Sequence, residues 1–446
     1  MSIFKAYDVR GVVPDELRAD EVHRIGRAVA RWLGGEAIAV GRDARTSSPE
    51  LSDALLRGIT DEGVAVADLG LCSTPMVYFA VEDLRLAGGV MITASHNPAQ
   101  YNGLKICREH AIPVGGDSGL RDIEKLAGEA IGPPRRARGA IRSVDVRDGY
   151  ARHVLLAGGR CPPLRIAIDC GNGMSSVGLE RLLETLPLEV ERLYFEPDGT
   201  FPNHEADPLK RENLDDLVAA VRRSGAQLGV AFDGDGDRAM FVDDAGEPVT
   251  ADLMTGLLAR AILRRNPGGR VLYDLRSSRA TAEAIAEAGG VPEMCRVGHA
   301  FIKAQMRQSG AVFAGELSGH FYFRFGPQLV HDDGTAALVA LLDLLAETGR
   351  PLSELVRPLR RYAASGEINR RVADVRGLLA ALEAEHAGAD ISKLDGLLVR
   401  HPDWWFNLRA SNTEPVVRLN LEAADEASMR ARRDALLARI EAFAAG

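Results

Sequence analysis

The chain has 446 residues, of which 46% are hydrophobic and 26% are charged, so it is long enough for about three domains with separate cores. Its formal net charge of -9 argues against a nucleic-acid-binding protein, because recognition of backbone phosphates requires a basic surface. A membrane protein is not expected either, since the most apolar run, near residues 336–346, contains Asp343 and is too short to span a bilayer.

The first part of the chain alternates short apolar strands with amphipathic helices. Strands are predicted at residues 37–40, 64–69 and 90–92, and a helix begins at Pro49. This βαβ pattern predicts a parallel or mixed sheet that ends near Pro133. The basic run Arg135-Arg136-Ala-Arg138 beside that proline is more typical of a solvated linker than of a phosphate site.

The third predicted strand runs into the loop Thr93-Ala-Ser-His-Asn-Pro98. Ser95 therefore lies at the carboxyl end of a strand, which is the edge where open α/β sheets bind ligands. A serine in such a loop is more often a turn or capping residue, so a functional role requires partners elsewhere. Arg10 and Lys105 are candidate partners, although each could equally serve a structural ion pair.

A second unit repeats this order of elements. A strand is predicted at 164–169, helices at 178–186 and 214–223, and a strand at 228–232 that leads into Asp233-Gly-Asp-Gly-Asp237.

The glycines of this acidic loop relieve the steric limits on a tight turn, so three carboxylates can converge on one cation. Hard oxygen ligands on a short loop suit Mg²⁺. An EF-hand does not fit, because Arg238 stands where that loop needs glycine and Asp244 where it needs glutamate. Arg238 could contact a phosphate oxygen or neutralise its acidic neighbours.

A third unit contains predicted helices at 251–265, 280–288 and 299–308 and strands at 270–275 and 311–314. The last strand leads into Gly315-Glu-Leu-Ser-Gly-His320. Glu316 and Ser318 could exchange hydrogen bonds with sugar hydroxyls, and His320 could carry a proton, although a lone histidine near a strand is more often structural. Three strands that end in polar, glycine-containing loops suggest three related α/β units.

The final part of the chain has a different pattern. Strands are predicted at 366–372, 396–400, 404–409 and 416–421 and helices at 378–387 and 429–443, which indicates an α+β domain. The loop Arg409-Ala-Ser-Asn-Thr-Glu-Pro415 lies between two of these strands. Its cationic and neutral donors suit a phosphate monoester, and the alternative is a loop whose polar groups satisfy one another.

Four loops, beginning at Thr93, Asp233, Gly315 and Arg409, resemble the signature loops of the α-D-phosphohexomutases, in this order and over nearly the whole chain. Within that family the likeness is greatest to phosphomannomutases and phosphoglucomutases, since Glu316-Leu-Ser differs from the Glu-Gln-Ser pattern associated with phosphoglucosamine mutase. The resemblance implies three similar mixed-sheet α/β domains and a smaller C-terminal α+β domain around a central cleft. Their expected bounds are 1–140, 141–247, 248–358 and 359–446.

The resemblance implies an isomerase of carbohydrate metabolism that interconverts hexose 1-phosphate and hexose 6-phosphate, with mannose as the expected sugar and glucose as a second one. Phosphorylated Ser95 would donate to the free hydroxyl, and the resulting 1,6-bisphosphate would turn round and return its other phosphate. Asp233, Asp235, Asp237 and an oxygen on Ser95 would hold one Mg²⁺ per active site.

The resemblance also implies roles for other side chains. The further catalytic residues are His96, Lys105, Arg10, Arg238 and His320. The substrate-binding residues are Tyr7, Arg276, His299, Glu316, Ser318, Arg409, Ser411, Asn412, Thr413 and Arg418. We expect Lys105 or His320, rather than His96, to move the proton, because neighbouring side chains on an extended backbone point apart. Arg276 stands where some relatives have lysine.

The expected partners are a hexose phosphate and, as activator and intermediate, a hexose 1,6-bisphosphate, with no nucleic acid or membrane and with the protein as monomer or homodimer. Five cysteines that are far apart and odd in number indicate a reducing, cytoplasmic location. The alternative functions are a phosphoglucosamine mutase, a non-catalytic phosphosugar-binding regulator and a Mg²⁺-dependent phosphatase.

Overall fold

The computed structural model describes residues 3–129, 132–133, 137–410 and 416–443. These residues form four β-sheets, of which the first three mix parallel and antiparallel strands and the fourth is antiparallel. The fold class expected from the sequence is thereby confirmed.

The first sheet has the strand order β1-β5-β4-β2-β3-β7, with β6 beside β5. Its strands are β1 (Val9–Val12), β2 (Ala37–Arg42), β3 (Ala65–Leu71), β4 (Gly88–Ile92), β5 (Tyr101–Arg108), β6 (Ile112–Pro113) and β7 (Ile141–Ser143). Its helices are α1 (Ala19–Leu33), α2 (Ser48–Asp61), α3 (Thr74–Asp83) and α4 (Leu120–Gly128). Strand β7 pairs with β3, so residues 141–143 extend the first sheet just beyond the expected domain boundary at 140.

The second sheet has the order β12-β11-β10-β8-β9. The elements of this unit are α5 (Arg147–Val154), β8 (Leu164–Asp169), α6 (Ser175–Leu183), β9 (Leu188–Leu193), α7 (Asp215–Ser224), β10 (Leu228–Phe232), β11 (Ala239–Val242) and β12 (Pro248–Val249). Strand β9 lies at the edge of the sheet and carries glutamates between apolar residues, and our sequence analysis did not predict it.

The third sheet has the order β14-β13-β15-β16-β17. The elements of this unit are α8 (Ala251–Arg265), β13 (Arg270–Asp274), α9 (Arg279–Glu287), β14 (Val291–Cys295), α10 (His299–Ser309), β15 (Phe313–Gly315), β16 (Phe321–Arg324), β17 (Val330–Asp332), α11 (Gly334–Thr348) and α12 (Leu352–Val356).

The fourth sheet has the order β18-β23-β22-β21-β20, with β19 also beside β23. The elements of this unit are β18 (Ala363–Ala364), β19 (Ile368–Arg371), α13 (Val375–Glu385), β20 (Asp390–Ser392), β21 (Leu397–Arg400), β22 (Trp404–Ala410), β23 (Val416–Ala423) and α14 (Glu426–Glu441).

The three mixed sheets share one arrangement. In each, a strand with a parallel neighbour on one side continues through a short polar loop into an antiparallel strand on its other side: β4 into β5, β10 into β11, and β15 into β16. The connecting loops are the first three loops singled out in the sequence. Because the carboxyl ends of parallel strands lie at one edge of a sheet, each unit presents its loop at the same position.

Buried apolar residues form several separate clusters, as expected, and one in the first unit and one in the fourth are distinct from a larger shared cluster. One cluster of buried residues runs through the first three units and includes Met76 in α3, Leu179 in α6 and Leu341 in α11. Helix α11 is buried along residues 334–345, because nearly all of these residues are apolar, and it joins the units. Within the described part of the chain, none of the helices combines the length and the apolar character needed to cross a bilayer.

Candidate active site

Ser95 follows β4 and has a left-handed backbone conformation, with φ of 52°. Its amide donates a hydrogen bond of 2.9 Å to Thr93 Oγ1, which fixes the loop directly after the strand. The residue is buried, and its Oγ donates a hydrogen bond of 2.7 Å to Asp233 Oδ2. The expected nucleophile and the first expected metal ligand are therefore in contact.

The three carboxylates of the acidic loop converge as the sequence predicted. Asp233, Asp235 and Asp237 are buried, and each offers an oxygen within 4.8 Å of the others. Burial, together with the charges of Asp237 and Asp235, raises the pKa of Asp233. Buried oxygens of Asp235 and Asp237 have no hydrogen-bond partner among the described residues. Such a set of converging, buried hard oxygens fits a divalent cation.

Lys105, on β5, reaches into the acidic loop. Its Nζ lies 2.6 Å from Asp235 Oδ2 and 2.5 Å from Asp237 Oδ2. Burial disfavours the charge, but these carboxylates outweigh burial and raise the pKa of Lys105 above its usual value. Lys105 is therefore protonated at neutral pH, so it can donate a proton or stabilise an anion but cannot act as a base.

His96 is closer to the nucleophile than we expected. The expectation of an extended backbone at Ser95 is wrong, because φ at Ser95 is positive. The left-handed turn brings His96 Nδ1 to 3.3 Å from Ser95 Oγ. The charge of Arg238, burial and the charges of Arg10 and Lys105 lower the pKa of His96 well below its usual value. A neutral imidazole beside the hydroxyl can accept a proton.

His320 joins the third loop to the second. Its Nδ1 lies 2.9 Å from Ser318 Oγ and its Nε2 lies 3.4 Å from Asp237 Oδ1. Burial and Arg238 disfavour a charge on the ring, whereas Asp237 and Glu316 favour it, and the pKa of His320 is raised to about 9. Arg238 Nε approaches Nε2 at 3.3 Å, which would suit a neutral ring, but the flanking carboxylates decide in favour of the charged form.

Glu316 is held firmly at the start of the third loop. It accepts hydrogen bonds from Tyr322 Oη at 2.8 Å and from the Gly298 amide at 3.1 Å. Arg276 Nη2 lies 3.5 Å from the same carboxylate and 2.9 Å from Asp274 Oδ2. Because its neighbours fix its position, Glu316 can present a defined acceptor to a ligand.

The first unit contributes two residues near its amino terminus. Tyr7 packs edge-to-face on His299, with ring centroids 5.5 Å apart, and thereby contacts the third unit. Arg10 donates a hydrogen bond of 2.8 Å to Asn97 Oδ1 and so contacts the Ser95 loop. Burial, followed by the charge of Lys303, lowers the pKa of His299 well below its usual value.

A cluster of cations lies between the third and fourth units. Arg276, Arg409 and Arg418 each have a guanidinium nitrogen within 3.2 to 3.6 Å of the Glu367 carboxylate. Buried Nε atoms of Arg409 and Arg418 have no hydrogen-bond partner within the described ranges. The expected phosphate contacts Ser411, Asn412 and Thr413 lie outside the described residues.

Sequence reasoning missed two acidic residues beside the site. Glu367 carried no motif, and only the pairing of β19 with β23 places it near the arginines. Asp332 forms a second group of potential ligand atoms with Asp237 and His320, all within 4.8 Å. Lys303 Nζ lies 2.7 Å from Asp332 Oδ1 and balances its charge. The acidic pair before α11 was the available signal, but it is also typical of a helix N-cap.

Comparisons with known proteins agree along the whole chain. Residues 1–130, 149–246 and 250–362 match the α/β/α domains I, II and III of phosphoglucomutase/phosphomannomutase, and residues 367–439 match the C-terminal domain of the same family.

Individual relatives cover nearly the full length. The chain is 41% identical to the phosphomannomutase of Salmonella typhimurium, with 98% of each chain covered. It is 40% identical to a phosphomannomutase/phosphoglucomutase of Pseudomonas syringae pv. tomato, with 96% of this chain and 92% of the relative covered. A crystal structure of a phosphoglucomutase/phosphomannomutase family protein from Burkholderia thailandensis superposes with a TM-score of 0.91 at 36% identity and covers 100% of this chain and 98% of its own.

Proposed function

The chain belongs to the α-D-phosphohexomutase family of phosphate-transferring isomerases, and we propose that it acts mainly on mannose phosphates, with glucose phosphates as second substrates. The name of the Salmonella relative supports mannose, and the double name of the Pseudomonas relative supports glucose as well. The family's substrate is a hexose phosphate.

We propose Ser95 as the residue that carries the transferring phosphate. The observation that carries this proposal is the 2.7 Å contact between Ser95 Oγ and Asp233 Oδ2. In the first step the free hydroxyl of the hexose monophosphate loses its proton and forms a bond to phosphorus, while the bond between phosphorus and Ser95 Oγ breaks and Oγ takes up a proton. In the second step the bisphosphate has turned round. Ser95 Oγ then loses its proton and bonds to the other phosphorus, while the bond between that phosphorus and the sugar oxygen breaks and the sugar oxygen takes up a proton.

Asp233, Asp235 and Asp237 would hold one Mg²⁺, together with an oxygen on phosphorylated Ser95. The convergence of three buried carboxylates in this loop supports the assignment. When bound, the ion would neutralise negative charge on the transferring phosphoryl group. Lys105 would add a positive charge at the same place.

We propose that neutral His96 exchanges the proton with Ser95 Oγ, because it lies 3.3 Å away and its pKa is lowered. Charged His320 and Arg238 would contact phosphoryl oxygens, and Arg10 would do so from the Ser95 side. Proton transfer is thereby assigned to His96, whereas the sequence favours Lys105 or His320.

The remaining residues would bind the substrate. Glu316 and Ser318 would accept and donate hydrogen bonds to sugar hydroxyls, and Tyr7 and His299 would line the same cleft. The phosphate that does not react would bind the cations and loop residues of the fourth unit. These residues are Arg276, Arg409, Ser411, Asn412, Thr413 and Arg418.

Further proposals concern the domain bounds, the location, the oligomeric state and the activator. The domain bounds 1–140, 141–247, 248–358 and 359–446 are supported by the four sheets with two exceptions, since residues 141–143 pair with the first sheet and residues 248–249 with the second. A cytoplasmic location is supported by five free cysteines. The protein would be a monomer or homodimer and would need a hexose 1,6-bisphosphate as activator.

A coupled assay tests the proposal. The protein should convert mannose 1-phosphate to mannose 6-phosphate when a trace of mannose 1,6-bisphosphate is present, and it should release little inorganic phosphate. Catalytic efficiency should be highest for mannose 1-phosphate, lower for glucose 1-phosphate and lowest for glucosamine 1-phosphate. Steady phosphate release would indicate a phosphatase, and binding without turnover would indicate a regulator.

The Ser95→Ala variant tests the nucleophile. It should lose turnover while it still binds mannose 1-phosphate, because only the phosphate carrier is removed. Ser224→Ala, at the end of α7, is the control and should be fully active. Near-normal activity of a clean Ser95→Ala preparation would reject the assignment.

A further inference from the structure

A buried cation that the proposed function does not use lies beneath the Ser95 loop. Arg45, in the connection between β2 and α2, is only 1% exposed. Burial of a guanidinium destabilises the folded state unless its donors are paired. The hydrogen-bond partners of Arg45 therefore indicate the role of this side chain.

All five donors of this guanidinium are used. Nη2 donates to the carbonyl oxygens of Ser95 at 2.8 Å and Asn97 at 2.6 Å, and Nη1 donates to those of Pro98 at 2.7 Å and Tyr101 at 3.0 Å. Nε donates to Asp43 Oδ2 at 3.0 Å. Four carbonyls of one short loop thus point at a single side chain.

This arrangement fixes a backbone that would otherwise be unfavourable. A non-glycine residue in the left-handed region costs of order 1–3 kcal/mol unless its surroundings hold it there, and Ser95 has φ of 52°. Only arginine offers a planar fork with enough donors to bind four carbonyls at once. The ammonium group of a lysine has three donors and no such plane.

The second unit also contacts this arginine. The ring of Phe201 lies 5.0 Å from Arg45 Cζ, and a Cβ on Gly199 would come within 2.2 Å of Arg45 Cα. The unit that carries the acidic loop is therefore packed directly on the residue that holds the Ser95 loop. A shift of Arg45 would change the distance between the two.

We propose that Arg45 is a positioning residue for phosphoryl transfer. It holds Ser95 Oγ against the acidic loop through the backbone of residues 95–101 and does not touch the substrate. This inference rests on the proposed role of Ser95.

The test compares Arg45→Lys with Arg307→Lys. Arg307 is a matched control, because it also donates to four backbone carbonyls, those of Lys303, His110, Gln328 and Val330, but none of these lies in the Ser95 loop. Arg45→Lys should lower kcat about 100-fold and change KM little, since a misplacement of about 1 Å costs a factor of that order. Arg307→Lys should lower the melting temperature but keep kcat.

A second measurement follows Ser95 directly. Transfer of labelled phosphate from glucose 1,6-bisphosphate to Ser95 should slow in Arg45→Lys by the same factor as kcat. Millimolar guanidinium ion should partly restore kcat in Arg45→Ala but not in Ser95→Ala. If Arg45→Lys does not fold, Asp43→Asn removes the negative charge that pairs with Nε and should lower kcat at unchanged KM.

Three outcomes overturn the inference. The first is a kcat of Arg45→Lys within twofold of the wild type. The second, which applies if that variant does not fold, is a kcat of Asp43→Asn within twofold of the wild type. The third is a loss of kcat that is equal in the Arg45 and Arg307 variants. A wild-type protein that fails to turn over mannose 1-phosphate would instead contradict the proposed function. An active Ser95→Ala variant would contradict the assignment of Ser95 as the nucleophile. Failure of the proposed function can therefore be distinguished from failure of the inference about Arg45.

Discussion

At the scale of single residues, the backbone of Ser95 decides the local chemistry. A left-handed conformation at this position turns the hydroxyl toward Asp233 and brings the next side chain, His96, back toward it. The same pair on an extended strand would point in opposite directions. A single dihedral angle therefore determines which histidine is available to Ser95.

A buried histidine pair away from the candidate site should make the protein sensitive to acid. His153 Nε2 lies 3.1 Å from His331 Nε2, and burial lowers the pKa of His153 to about 4. The folded protein keeps this ring neutral, whereas the unfolded chain takes up a proton below about pH 6.5. Stability should therefore fall as the pH drops from 6.5 toward 4, by up to about 1.4 kcal/mol per pH unit for each such ring.

His153→Phe tests this prediction. A phenyl ring can replace the imidazole between Phe79 and Phe325 and cannot be protonated. The drop in melting temperature between pH 7 and pH 5 should be smaller in the variant than in the wild type. Parallel pH curves for the two proteins would contradict the assigned cause.

At the scale of elements, three loops of the candidate site are presented by the same arrangement of strands. A buried strand with a parallel neighbour delivers a polar loop, and the chain returns as an antiparallel strand. The strands hold each loop rigidly, while the loops differ in side chains. One loop supplies a hydroxyl, the next three carboxylates, and the third a glutamate and a histidine.

The acidic loop should determine the metal response. Asp235→Asn removes a charge from the proposed Mg²⁺ ligands, and it should lower kcat and raise the Mg²⁺ concentration for half-maximal activity. The rise should be roughly tenfold or more, since even residues that merely support ligands contribute about 10- to 100-fold to metal affinity. A titration of activity with Mg²⁺ measures this rise. Asp122→Asn is the control, because Asp122 is exposed on α4. An unchanged titration curve would argue against this loop as the metal site.

Glu367 should compete with the phosphate that binds the arginine cluster. Its carboxylate neutralises part of the charge of Arg276, Arg409 and Arg418, and its side chain is 25% exposed. Glu367→Gln should therefore tighten inhibition by inorganic phosphate up to about fivefold, which corresponds to roughly 1 kcal/mol for a partly exposed pair.

Inhibition constants measured at constant ionic strength test this effect. Glu426→Gln, which breaks a surface pair with Arg430 in the same unit, is the matched control and should leave the constant unchanged. Weaker inhibition in Glu367→Gln would mean that the carboxylate orients the arginines rather than competes for them.

At the scale of the whole molecule, the units are packed closely enough for their loops to touch. A continuous apolar cluster joins the first three units, and the loops of Ser95 and Asp233 meet over it. A Cβ on Gly234 would come within 2.5 Å of the Ser95 carbonyl oxygen. The separation of hydroxyl and carboxylate therefore depends on how two domains pack.

Gly234→Ala should disturb this packing. The added methyl group must push the Ser95 loop away, and we expect kcat to fall roughly tenfold to hundredfold, as for other small misplacements of reacting groups. Steady-state kinetics measure the effect. Gly388→Ala is the control, because its Cβ would meet nothing within 4 Å. Equal kcat values for both variants would show that the loops can separate without loss.

The sequence determined the type of each unit and the identity of most candidate residues. Strands such as Leu228–Phe232 and helices such as Ala251–Arg265 have the predicted bounds, because their apolar patterns and end signals are local properties of the chain. The glycines between Asp233, Asp235 and Asp237 likewise predict a turn with converging carboxylates, because a turn signal is also a local property of the chain.

Only the tertiary structure decided which residues meet across long separations. Arg45 and Glu367 carry no local signal, and their importance arises from carbonyls and guanidinium groups that lie 42 or more residues away. The protonation of His96, Lys105 and His320 likewise depends on burial and on neighbouring charges from other units. Periodicity reports the environment of one segment, whereas distances between segments depend on how the sheets pack.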